Sequence, residues 1–166
     1  MNYYFNLQQK GNYQTLVCGE HGASAVYIKS KSFVDQKWIG SQTDSPTEAI
    51  VLDQMYQSAN VIKKTQGATY YAVASCAQII MKALYLDSNI VIPASIITND
   101  KTENILKCKS IAISLPCIIN KSGAKWHGQL IFQQNEIELL QHSANIIEKL
   151  IYPFNSDSFN LSVFNL

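Results

Sequence analysis

The spacing of apolar residues changes period twice along this chain, and that change limits the folds open to it. From Asp44 to Gly67 apolar side chains recur every three or four positions: Ala49, Leu52, Tyr56, Ala59 and Ile62. That spacing predicts one helix with a single apolar stripe. Ser45-Pro46-Thr47-Glu48 has the spacing of a capping box with Pro at the first helical position, and Gly67 is a natural stop. A second helix is predicted over Tyr70 to Tyr85, where Val73, Ala77, Ile80 and Leu84 line one side and Ala74 and Met81 widen it. So broad a stripe predicts a central helix rather than a superficial one. A third helix is predicted over Gln134 to Ile151 on Ile137, Leu140, Ala144, Ile147 and Ile151.

Between the second and third helices the period drops to two. Ile90 to Thr98 and Ile111 to Asn120 read as strands joined through a turn at Asn99-Asp100. Pro93 and Pro116 lie inside these runs and predict sheet edges, bulges or strand ends. Asn120-Lys121-Ser122-Gly123 signals a hairpin, with Lys125 to Phe132 as the returning strand. Upstream, Tyr13 to Cys18 reads as a short strand, and Ala25 to Val34 has room for one or two more. After Pro153, Phe159, Leu161 and Val163 alternate with polar residues as a half-buried strand would. This order predicts an α+β fold with antiparallel strands packed on long helices. We expect one domain over residues 1–152 and an appended tail over 153–166.

Charge and composition narrow the function. The 166 residues carry a formal net charge of +1 without a basic block, which argues against nucleic acid and anionic membrane as partners. No run approaches the ~20 apolar residues of a membrane span. Met1 to Gln9 lack a basic region followed by an apolar one, so a cytoplasmic protein is expected. Cys18, Cys76, Cys108 and Cys117 are scattered and read as mostly buried, reduced thiols; the three histidines are too far apart to suggest a metal site. All 13 basic residues are lysine. The chain therefore offers no arginine to clamp a carboxylate or phosphate in bidentate fashion. It also has neither G-x-G-x-x-G nor a P-loop, so no dinucleotide-binding turn is visible.

The chemistry concentrates in Gly19-Glu20-His21-Gly22-Ala23-Ser24, just after the first strand candidate. Glycines around a histidine allow a sharp turn and close approach of a ligand. With Lys64 to Thr69, Asn89 to Ser95, Ile113 to Ile119 (I-S-L-P-C-I-I) and Gln141 to Leu150, which includes Ser143-Ala144, this segment resembles the L-lactate/malate dehydrogenase family. The lactate branch of these NAD-dependent 2-hydroxy-acid dehydrogenases looks closer. The resemblance covers roughly residues 13–152 and only the family's C-terminal, substrate-side half. It implies that His21 is the catalytic proton donor and acceptor, that Thr69 lines the substrate pocket, and that Val73 walls the nicotinamide side.

The resemblance also implies a 2-keto or 2-hydroxy acid substrate and NAD as cofactor. The family's glycine-rich NAD-binding half, its two arginines and the aspartate that holds its histidine are not matched here. Ala23 stands where the family motif has Asp. The chain alone is thus expected to bind no NAD and to turn nothing over. It would act with a separate NAD-binding half, or else persist as a non-catalytic relic or oligomerising module. The first dozen residues do not resemble the family's preceding helix, as expected of a shortened reading frame. Without the family, Thr69 reads as a helix-start residue and Val73 as core. Tyr70-Tyr71 then reads as packed rings, and His127 and His142 as solvated or weakly paired.

Overall fold

The computed structural model describes residues 13–34, 36–38, 53, 57, 58 and 60–155. The expected strand over Tyr13 to Cys18 is two short strands, β1 (Tyr13–Gln14) and β2 (Val17–Cys18). They separate because they pair with different partners: β2 with β3 (Val26–Tyr27), and β1 with β4 (Phe33–Val34), which also pairs β5 (Lys37–Trp38). The start of the first predicted helix lies outside the described residues. Residues 60–66 are helical and end at Gly67, whose φ is +79° and whose N–H donates to the Lys63 carbonyl (2.9 Å). Helix α1 spans Tyr70–Tyr85.

The main sheet is antiparallel, in the order β6 (Ile90–Ile97), β7 (Ala112–Asn120), β8 (Gly123–Trp126). Pro93 and Pro116 face each other in the β6–β7 ladder. A residue without an N–H is tolerated there because β6 is an edge strand and Pro116 lies just beyond the end of β8. The same geometry shortens the returning strand, which runs only from Gly123 to Trp126 instead of reaching Phe132. His127 N–H donates to the Pro116 carbonyl (2.8 Å), but Pro116 has no N–H to donate in return, and the chain turns away at Gly128.

The expected turn at Asn99-Asp100 is instead the start of a helix, α2 (Asp100–Leu106). Asn99 Oδ1 accepts the N–H groups of Lys101 and Thr102 (3.2 Å each), while Asn99 N–H donates to Thr102 Oγ1 (2.8 Å). This reciprocal cap satisfies donors that would otherwise be left open. The last helix, α3 (Gln134–Asn155), runs past Pro153. The carbonyl one turn back belongs to exposed Lys149, where water can satisfy it. Ser156 to Leu166, including the strand expected around Phe159 to Val163, lie outside the described residues.

Odd-numbered residues of β7 line one buried face. Ile113 and Leu115, with the adjoining Ile111, pack with Cys18, Val26, Ile28, Leu106, Leu140 and Ala144, joining the sheet to β2, β3, α2 and α3. Cys117 and Ile119, further along, pack with Ala83 of α1. A buried carboxylate fixes the start of α3. Glu136 is 3% exposed and accepts Ser30 N–H (2.8 Å), Ser30 Oγ–H (2.6 Å) and Gln133 N–H (2.9 Å). Helix α1 is not central. Ala83 is its one buried residue, and Tyr71, Val73, Met81 and Tyr85 are each more than 60% exposed. Its apolar residues encircle the helix, but the sheet covers only the side near Ala83.

Candidate functional site

The loop bearing His21 is built from the edge that β8 vacates. Gly19 exchanges two hydrogen bonds with Ser114 of β7: Gly19 N–H to the Ser114 carbonyl (2.8 Å) and Ser114 N–H to the Gly19 carbonyl (3.2 Å). Two constraints make this position glycine. Its φ is +92°, and a Cβ would lie 2.6 Å from Ser143 Oγ on α3. The next residue is held as well, since Glu20 N–H donates to Ser143 Oγ (2.6 Å). The Glu20 side chain then folds back across Gly22. Its Oε2 accepts Ser24 N–H (3.2 Å) and the Ser24 hydroxyl.

These contacts leave His21 at the loop tip, exposed and without a hydrogen bond to any described residue. The neighbouring carboxylate is engaged with Ser24 and does not hold the ring. Thr69 takes the N-cap position of α1 with a side chain that makes no capping bond, so the simple helix-start account does not use its hydroxyl. Val73 is 61% exposed, which corrects the reading of it as core. Tyr70 and Tyr71 are exposed too; their rings meet each other at 4.5 Å rather than packing inside.

The structure does not gather His21, Thr69 and Val73 into one cavity. The groove beside the loop, of about 480 Å³, is lined by Glu20, Ala23 and Ser24 on the loop, by β3, and by Leu139, His142 and Ile146 of α3. His142 is exposed as expected. His127 is half-buried rather than solvated, and its Nδ1 has no partner among the described residues. No group of acidic, histidine or cysteine side chains among the described residues could hold a metal ion. No described helix is long and apolar enough to cross a membrane.

Cys18, Cys108 and Cys117 are buried free thiols and Cys76 is exposed on α1. Burial first, then the nearby Cys117 and Glu136, push the Cys18 thiol up to about 12. Burial likewise raises Cys108 and Cys117. A thiol held protonated is a poor nucleophile, so these three serve the core.

The family profile of the lactate/malate dehydrogenase α/β C-terminal domain matches residues 3–156. The chain belongs to the lactate/malate dehydrogenase family. An L-lactate dehydrogenase of Malacoplasma penetrans is 30% identical over 142 residues, 82% of this chain and 42% of that protein. One from Borrelia hermsii is 27% identical over 152 residues, 89% of this chain and 47% of that protein. The chain thus spans about half the length of the curated relatives it matches.

Solved structures give the same proportion. A lactate dehydrogenase from a Medee basin deep-sea metagenome superposes with a TM-score of 0.75 at 26% identity, over 91% of this chain and 49% of that one. A malate dehydrogenase of Archaeoglobus fulgidus in complex with NADH does so with a TM-score of 0.75 at 25% identity, over 92% and 47%. The α+β architecture is that of this family's C-terminal domain.

Sequence reasoning marked the family loop but missed what holds it. Ser143, Ser24 and Ser114 lie far apart in sequence and converge on Gly19 and Glu20. The available signal was the small pair Ser143-Ala144 on the apolar stripe of the last helix. Small side chains there permit close approach of another backbone.

Proposed function

We propose that this chain is the substrate-side half of an NAD-dependent L-lactate, or more broadly L-2-hydroxy-acid, dehydrogenase. It interconverts a 2-keto acid and an L-2-hydroxy acid. The carrying observation is a histidine presented free at the tip of a loop whose base is fixed on both sides by β7 and α3. His21 as an imidazolium donates a hydrogen bond to the keto oxygen and passes that proton to it as the carbonyl carbon is reduced. In reverse, the neutral ring takes the hydroxyl proton. An imidazole suits both directions because its ordinary pKa of ~6.5 lies near working pH. Thr69, with its hydroxyl uncommitted, lines the substrate pocket, and exposed Val73 walls the nicotinamide side.

This chain's own residues do not fit the whole cofactor. The sequence has no glycine-rich turn to seat a pyrophosphate and no arginine to clamp the substrate carboxylate. A separate half would hold the cofactor, which would supply the hydride as NADH and take it back as NAD+ in the reverse direction. That half also supplies the arginines and covers the exposed face of α1. In this reading the domain expected over residues 1–152 runs on to the end of α3 at Asn155, the residues after it are an added tail, and the protein is cytoplasmic.

The test is complementation. Mixing the chain with the NAD-binding half of a related L-lactate dehydrogenase should produce NADH oxidation with pyruvate or a branched 2-keto acid. His21→Asn should lower that rate about 10²- to 10⁴-fold. A mixture that binds NADH and the chain yet never turns over would sink the reading.

One observation favours a second reading, a relic that keeps the fold as an oligomer. The apolar face of α1 is open, and such faces usually become interfaces or aggregate. Light scattering separates the two. A stable dimer that no NAD-binding half converts supports the relic, and a monomer removes it. Val163→Asp weakens the dimer if the tail mediates it.

A further inference from the structure

We propose that Ser143 is a positioning residue for His21, acting through a closed ring of hydrogen bonds that fixes both ends of the histidine loop. The catalytic consequence rests on the role proposed above for His21. The ring itself does not.

Three side chains and one amide form the ring. Glu20 N–H donates to Ser143 Oγ (2.6 Å). Ser143 Oγ and Ser24 Oγ lie 3.3 Å apart, and Ser24 Oγ contacts Glu20 Oε2. A hydroxyl has one proton to give. The carboxylate is the stronger and nearer acceptor, so Ser24 gives its proton to Glu20, and Ser143 gives its own to Ser24. The chain of donors thus runs from the Glu20 amide through Ser143 and Ser24 back to the Glu20 carboxylate. Each bond in such a circuit polarises the next. Ser24 N–H is a second donor to the same carboxylate oxygen (3.2 Å).

The ring encloses the loop. Its two backbone anchors, Glu20 and Ser24, bracket His21, Gly22 and Ala23, while Ser143 is 0% exposed in the middle of a 22-residue helix. The rigid helix therefore sets where the loop starts and ends. Gly19 completes the fit, because any side chain there would strike Ser143 Oγ. The ring also occupies the Glu20 carboxylate, which would otherwise be free to pair with the adjacent imidazole.

Amide hydrogen exchange on the full chain tests this. In the native chain the Glu20 and Ser24 amides should exchange about 100-fold more slowly than unstructured amides. Ser143→Ala and Ser24→Ala should each speed both amides about tenfold, leaving the Leu115 amide in the β6–β7 ladder unchanged. Ser24→Thr, which keeps the hydroxyl, should restore protection. The His21 ring resonance, single in the native chain, should move or broaden in the two alanine variants and return in Ser24→Thr. If Ser143→Ala does not fold, Ser24→Ala carries the test, since Ser24 is only partly buried.

In the complemented enzyme the alanine variants should lower kcat about tenfold with KM within about twofold. Freely exchanging Glu20 in the native chain would overturn the proposal. So would alanine variants that leave both its exchange and the His21 resonance unmoved. If the ring behaves as described while no mixture reduces a keto acid, the dehydrogenase reading falls and the ring stands.

Discussion

Helices α1 and α3 both carry apolar residues at helical spacing, more of them on α1, yet they meet opposite fates. Leu140, Ser143 and Ala144 on α3 have no exposed surface, and Glu136 in its first turn is buried in a full set of hydrogen bonds. On α1 only Ala83 is buried, while Met81 is 68% exposed and Tyr85 89%. The difference lies in the neighbours. The stripe of α3 has β2, β3, β7 and α2 to pack on. The stripe of α1 has the far end of β7, which covers a narrow band near Ala83. An apolar pattern says that a helix wants a cover, and only the rest of the fold says whether this chain supplies it.

The contrast gives a graded set of outcomes. The largest effect is expected on α3, where Leu140→Ala should cost about 3 kcal/mol in urea unfolding through the lost burial and the cavity left behind. Glu136→Ala should cost nearly as much, about 2–3 kcal/mol, by stranding Ser30 and Gln133 donors. Cys18 gives a pH signature of the same core. Its thiol has a raised pKa when folded, so the folded state keeps its proton after the unfolded chain has lost it. Stability from this group is complete below about 9 and is lost as pH rises toward about 12. Unfolding free energy should fall by up to about 1.4 kcal/mol per pH unit in that window, and Cys18→Ala should flatten the slope.

On α1 the same experiments should show almost nothing. Met81→Ala should change the stability of the chain alone by less than about 0.5 kcal/mol. A cost like that of Leu140→Ala would mean α1 is already covered. Alkylation sharpens the comparison: Cys76 on α1 should label readily at neutral pH, while Cys18, Cys108 and Cys117 label only on unfolding. Bound to an NAD-binding half, Cys76 should become slower.

Much of this was legible in the sequence because it depends on local period. Gly67 ended its helix, Ile90 to Ile97 and Ala112 to Asn120 formed their strands, and Gly123 closed the hairpin. What the sequence hid depended on partners. The cap at Asn99 escaped notice because Thr102, rather than Glu or Gln, completes its box. The return strand ended early because Pro116 and the Gly19–Ser114 bridge take over the edge of β7. The exposure of α1 is invisible to periodicity, which reports apolar demand and not supply. The His21 loop was recognisable from its motif, but Ser114 and Ser143, which hold its base, come from a strand and a helix far along the chain.

The most direct test of the account is the complemented assay itself. Mixed with an NAD-binding half, the chain should oxidise NADH with pyruvate, and His21→Asn should abolish nearly all of that rate while leaving the two halves associated. The chain alone should neither bind NADH by fluorescence nor turn over. Full activity in His21→Asn, or micromolar NADH binding by the chain alone, would contradict it.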